Sequence, residues 1–163
     1  MKRVLLTGMS GVGKSTLIRR LASLGYRAVD IDDPAWSEYR NVPGPQGGPA
    51  EPEWVWREAR VRDLLTKEAG DLLFVSGCAS NQGQFYEFFD HVVLLSAPVE
   101  VMLERLATRT TNSFGKSPDE RAKILDDLAN VEPLLRRRAT AEIDTSAPLD
   151  DVVATVLRLV GER

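Results

Sequence analysis

The sequence predicts a three-layer α/β fold: a five-stranded parallel sheet with helices on both faces. Three observations predict it. Short runs that are apolar on both faces recur along the chain, as central parallel strands require. Segments of helical period separate them, and that alternation produces right-handed crossovers. A glycine, hydroxyl or carboxylate stands at the end of each run: Gly8, Asp30, Gly77, Ser96 and Thr145. Ligands of open parallel sheets bind beyond those strand ends, so these residues are expected to line one cleft.

Each element has its own justification. Residues 3–7 (RVLLT) are the first expected strand. After the turn GMSGVGKS, Leu17, Ile18, Leu21 and Leu24 recur at helical spacing and Gly25 supplies the stop. Residues 26–30 read as the second strand, leading into the acids Asp30, Asp32 and Asp33. From 34 to 52 the hydrophobic period disappears, and RNVPGPQGGPAEP is expected to be a mobile loop or insertion. Residues 53–68 are expected to be a helix, with Trp54, Val61, Leu64 and Leu65 as its apolar positions. LLFVS (72–76) is the third strand, GCASNQGQFYEFF a loop leading into a short helix, and HVVLL (91–95) the fourth strand. Pro98 opens a helix to about 108. Pro118 opens another to about 139, with a bend expected at Pro133. A short fifth strand (142–144) and an amphipathic helix (149–160) complete a single expected domain over 1–163, with an insertion at about 33–69.

Composition narrows the partners. The formal net charge is −3. Nucleic acid and membrane surfaces favour a basic protein, so neither is expected as a partner. The one cysteine, Cys78, excludes an internal disulfide and suggests a reducing, cytoplasmic compartment. The N-terminal apolar run is too short for a signal peptide, and no segment approaches the roughly 18 apolar residues of a membrane span.

The most specific signal is the first turn. Gly8, Gly13, Lys14 and Ser15 satisfy G-x-x-x-x-G-K-[ST] between a strand and a helix. Glycines, Gly11 included, allow the N–H groups of the loop from Gly8 through Ser10 and Val12 to Thr16 to face phosphate oxygens. The following helix aims its positive end at the same anion. Lys14 is expected to reach the β- and γ-phosphates and Ser15 to coordinate Mg2+. This is a P-loop, and it implies a bound nucleoside triphosphate.

From this point the chain resembles the small P-loop kinases that include adenylate, shikimate and gluconate kinases. The resemblance implies the P-loop NTPase sheet order 2-3-1-4-5 and ATP as the nucleotide. No guanine-reading N-K-x-D pattern is present. DIDD at the second strand end is similar to the D-x-D of shikimate kinases. By that resemblance Asp30 supports Mg2+ through water, and Asp32 binds the acceptor hydroxyl as its base. A solvated turn, with Asp33 capping a helix, is the other reading of these acids. ERLATRTTNSFGKSPDER resembles the segment that leads into the mobile lid. Arg105 would then lie against the nucleotide base, Arg109 at its phosphates, and 110–117 would be the lid. Two solvated arginines on one helix face are the alternative. Thr145 to Pro148 matches the loop that meets adenine, or else is an ordinary helix cap.

The chain also departs from that family. The lid lacks the histidine-phenylalanine pair of gluconate kinases and has Ser113-Phe114 instead. The shikimate kinase Gly-Gly-Gly after the third strand is missing, and Val131 stands where those enzymes place an arginine. Ser76 ends the third strand where many NTPases place an aspartate. Ser80, Asn81 and Gln82 are expected to hydrogen-bond a polar acceptor. Trp36, Tyr39, Trp54 and Trp56 form either an aromatic wall for that acceptor or a plug that tethers the insertion. Arg57 and Arg60 either grip an anionic acceptor or are solvated. Cys78 has no activating partner and is not expected to be a nucleophile.

The expected function is phosphoryl transfer from ATP to a small hydroxylated or phosphorylated metabolite by a monomer or homodimer. Lys14, Asp32 and Arg109 are the expected catalytic residues. An ATP-binding regulatory module, or a slow ATPase without a small acceptor, is the alternative.

Overall fold

The computed structural model describes residues 2–42, 51–67, 70–109 and 116–162. The chain enters through β1 (Lys2–Thr7), α1 (Lys14–Ser23) and β2 (Arg27–Asp30). Two further strands, β3 (Ser37–Val42) and β4 (Glu51–Trp56), precede α2 (Glu58–Lys67) and β5 (Leu72–Ser76). A 3-10 turn (Gln82–Phe88) leads to β6 (His91–Ser96) and α3 (Val99–Thr108). The remainder is α4 (Pro118–Asn130), α5 (Glu132–Arg138), β7 (Ala141–Asp144) and α6 (Leu149–Leu159).

Five of the strands form one parallel sheet in the order β2-β5-β1-β6-β7. Numbered by their appearance within that sheet, this is the expected 2-3-1-4-5. Alternation along the strands sorts side chains between two apolar layers. Val4, Leu6 and Phe74 join Leu17, Leu21, Met102 and Val156 on one side. Leu5, Leu73 and Val75 join Val61, Leu65 and Phe85 on the other. Both faces are covered, so the central strands read as continuous hydrophobic runs.

The insertion differs from its expected structure. Residues 37–42 and 51–56 pair antiparallel, with Ser37 opposite Trp56 and Tyr39 opposite Trp54. Trp54 therefore lies on a strand, and the helix begins only at Glu58. The aromatic residues at 54 and 56 obey a period of two, and aromatic side chains fit a half-buried pleated surface. Trp56 is fully buried, its ring 5.5 Å from that of Phe85, and it anchors the hairpin to the second apolar layer.

The single helix expected from Pro118 to about 139 is instead two, divided at Val131. Pro133 has no N–H to give the preceding turn and clashes with its carbonyl, so it sits in the first turn of α5. The start at Pro118 is as expected. Ser117 and Glu120 close a reciprocal capping box there.

Candidate active site

The phosphate loop joins β1 to α1. A Cβ on Gly8 would overlap the Leu95 carbonyl oxygen. Gly11 and Gly13 have φ of 89° and 94°, in the left-handed region that L side chains rarely enter. Gly13 is also the N-cap of α1, and among the described residues no side chain caps the first-turn N–H groups. Those donors are left for a ligand. Lys14 folds back over the loop, its Nζ donating to the Gly8 and Met9 carbonyls at 2.7 and 3.1 Å.

A clamp holds this loop from behind. Buried Thr145 donates its hydroxyl to the Val12 carbonyl at 2.6 Å. Arg105 donates to the Gly11 carbonyl at 3.3 Å and to the Thr145 hydroxyl and carbonyl at 3.1 and 2.6 Å. A cavity of about 440 Å³ opens here, lined by the loop from Ser10 to Thr16 and by Arg105, Arg109 and Thr145. Pro148 precedes α6 and does not line it, whereas Ala147 and Leu149 do. Desolvation holds the Arg109 guanidinium below its ordinary pKa, opposed by the charge of Glu120.

The β2 end brings the acids in from the other side. Ser15 donates its hydroxyl to Asp30 at 3.2 Å, and the Asp32 N–H donates to the other Asp30 oxygen at 3.0 Å. Asp30 pairs in register with Ser76, whose buried hydroxyl has no hydrogen-bond partner among the described residues. β5 thus ends in a serine, and the acid beside it stands on the neighbouring strand.

Asp32 is held by two donors. The Cys78 N–H reaches both carboxylate oxygens at 3.0 and 3.1 Å, and Trp54 Nε1 reaches Oδ1 at 3.3 Å. Burial raises the Asp32 pKa above the ordinary aspartate value, and Lys14 and the Cys78 N–H oppose that rise only in part.

A second cavity, about 870 Å³, lies beyond Asp32. Met9, Tyr39, Trp54, Ile124 and Leu135 give it apolar walls. Lys14 and Asp32 line both cavities and mark their junction. Tyr39 and Trp54 belong to the aromatic wall that the sequence offers as one alternative, but the hairpin that carries them is not legible there, where the pattern reads as loop and helix. Its signal was the aromatic alternation at Trp54 and Trp56 on the far side of a Pro/Gly-rich stretch.

Several expected contributors have structural roles instead. The Asn81 amide accepts from the Trp56 N–H and donates to the Trp56 carbonyl at 2.9 and 3.0 Å. Gln82 is buried and binds Thr7, Tyr86 and the Ala79 N–H. Arg57 binds Glu38 and the Pro34 carbonyl, and Arg60 stacks on Trp36 at 4.7 Å. These four side chains do not line the second cavity, although Ser80 does. The aromatic set divides: Tyr39 and Trp54 line the cavity, whereas Trp56 is core. Burial also raises the pKa of the Cys78 thiol, as expected of an inert one. Of the expected lid, 110–115 lies outside the described residues, and Lys116 donates to the Ala107 carbonyl.

Comparison with known proteins agrees with this geometry. Residues 4–126 match the AAA domain family. A shikimate kinase from Halorhodospira halophila is 32% identical over 151 residues, covering 88% of this chain and 84% of its own. One from Mycobacterium avium is 32% identical over 149 residues, with the same coverage of both chains. Among solved structures, shikimate kinase from Acinetobacter baumannii in complex with shikimate superposes with a TM-score of 0.64 at 25% identity, covering 98% of this chain and 93% of its own.

A P-loop at the end of a 2-3-1-4-5 parallel sheet, opposed by a second cavity across one lysine and one aspartate, defines a nucleotide-dependent phosphotransferase. The chain belongs to the AAA-domain family and, within it, to the small P-loop kinases of the shikimate and adenylate kinase-like group. It is an ATP-dependent kinase of a small molecule.

Proposed function

We propose that this kinase transfers the γ-phosphate of ATP to a hydroxyl of a small hydroxylated or phosphorylated metabolite held in the second cavity. The observation that supports this most is the position of Lys14 and Asp32, each bordering both cavities. The acceptor O–H gives its proton to the Asp32 carboxylate, and its oxygen bonds to the γ-phosphorus. The bond from that phosphorus to the β–γ bridging oxygen breaks, and ADP leaves with the charge. Lys14 and Arg109 balance the developing charge, and the first-turn N–H groups of α1 hold the phosphates in line.

In the same reading the loop from Gly8 through Ser10, Gly11, Val12 and Gly13 to Thr16 cradles the triphosphate. Arg105 and Thr145 brace that loop and, with Ala147 and Leu149, shape the adenine side. The donor set at Ser15 and Asp30 fits Mg2+, since both groups are hard oxygens 3.2 Å apart and Ser15 lines the phosphate cavity. When bound, the ion would supply neutralisation of phosphate-oxygen charge. We assign the chain one domain over 1–163, with the acceptor region at about 33–69 and the lid at about 110–117. A monomer or homodimer in the cytoplasm completes the reading.

A coupled ADP-release assay tests it over a panel of sugars, polyols, shikimate-like acids and nucleosides. At least one acceptor should raise ADP release well above the ATP-only rate. Asp32→Asn should cut that transfer about a hundredfold or more while leaving ATP affinity within about threefold. ATP binding with no stimulating acceptor would refute the proposal.

A further inference from the structure

We propose that the acceptor carries no acidic group: it is a neutral or amine-bearing hydroxyl compound rather than a carboxylate or phosphate. This narrows, and rests on, the kinase reading of the second cavity.

The charged groups lining that cavity are the carboxylates of Asp32, Glu53 and Asp127 and the ammonium groups of Lys14 and Lys123. Both lysines are already engaged. Lys14 sits on the phosphate loop, with its Nζ on the Gly8 and Met9 carbonyls. Lys123 is bonded to both Asp127 oxygens at 3.2 and 3.3 Å. Among the described residues no arginine lines this cavity. The two that precede and enter α2 are committed elsewhere: Arg57 to Glu38 at 2.8 Å, and Arg60 to the Trp36 ring.

Two of the undescribed stretches, 43–50 (PGPQGGPA) and 110–115 (TTNSFG), contain no charged residue and add no cation to this balance. An acidic acceptor would therefore be desolvated against an excess of carboxylate with no guanidinium to receive it. Such burial is strongly unfavourable. The remaining walls, Tyr39 and Trp54 with Ile124, Val131 and Leu135, suit the C–H face of a ring or polyol. Exposed Glu53 is suited to receive an amine.

Matched pairs of acceptors test the inference with the full chain, ATP and Mg2+. The pairs are glucitol and gluconate, glucose and glucose 6-phosphate, and carboxyl-reduced shikimate alcohol and shikimate, with glucosamine added. The rate of ADP release is measured, and the phosphorylated product is identified by phosphorus NMR. Within each active pair, the member without the acid should have the higher kcat/KM by about tenfold or more. The double variant E53Q/D127N removes two carboxylates and frees Lys123, so the ratio should fall to about threefold or less. Acidic members accepted as well as or better than their partners would overturn the inference while leaving the kinase reading intact. A ratio unmoved by E53Q/D127N would overturn it too, because the selection would not then be electrostatic. Failure of every compound while ATP still binds would remove the kinase reading, and this inference with it.

Discussion

Trp54 Nε1 donates to Asp32 Oδ1 at 3.3 Å, tying the β3–β4 hairpin to the turn that follows β2. Wall and carboxylate are thereby positioned together. Whatever fixes the hairpin also fixes the Asp32 carboxylate.

Trp54→Phe keeps the aromatic surface and deletes this donor. The acceptor-dependent kcat should fall about three- to tenfold, with ATP affinity unchanged. The hydrogen bond lowers the Asp32 pKa, so its loss raises that pKa further. A base works only when ionised, and the acid limb of the kcat–pH profile should move to higher pH. A profile that falls in height without moving would mean that Trp54 only packs.

Asp32→Asn should stabilise the nucleotide-free protein as it abolishes transfer. Burial, the largest cause, raises the Asp32 pKa in the fold above its unfolded value. The unfolded chain therefore ionises first as pH rises. Relative stability is fully present below the unfolded value, from about pH 4, and is lost as pH rises through the raised folded value. Asparagine carries no charge to desolvate and accepts the Cys78 and Trp54 donors through its oxygen. Its Tm should exceed that of the parent by about 2 °C at pH 8 and by less at pH 4, in paired thermal melts. Equal differences at both pH values would contradict the linkage.

Thr145→Val tests the clamp behind the phosphate loop. The substitution conserves shape but removes the hydroxyl bonded to the Val12 carbonyl and to Arg105. A buried acceptor left unpaired costs about 1–3 kcal/mol. Tm should fall by about 3–6 °C, and the Kd for ATP should rise several-fold as Val12 loosens. Unchanged melting together with unchanged nucleotide affinity would show that Arg105 alone suffices.

The nucleotide half of the site was legible in the sequence because its chemistry is local. Gly8 to Ser15 are consecutive, and their spacing alone makes a phosphate cradle between a strand and a helix. The D-x-D at Asp30 and Asp32 was legible for the same reason. The acceptor half depends on pairing between distant residues. Tyr39 meets Trp54 across fifteen positions and a Pro/Gly-rich stretch, with ring centroids 4.9 Å apart. No helical or loop pattern reports such a partner. Asn81 and Gln82 were misread for a related reason. A polar side chain near a cleft looks like a ligand contact until the backbone groups it satisfies are known.

The hairpin lies within one unbroken stretch between β2 and α2. It is bound to the sheet frame mainly through buried Trp56, the Ser37 hydroxyl bonded to the Ile31 carbonyl, and the Asn81 amide. Such a segment behaves as a cassette. Its exposed face at Tyr39 and Glu53 is free to diverge without disturbing the triphosphate machinery across the cleft. Exchange of residues 37–56 as a unit should therefore reshape the second cavity and leave the phosphate loop in place.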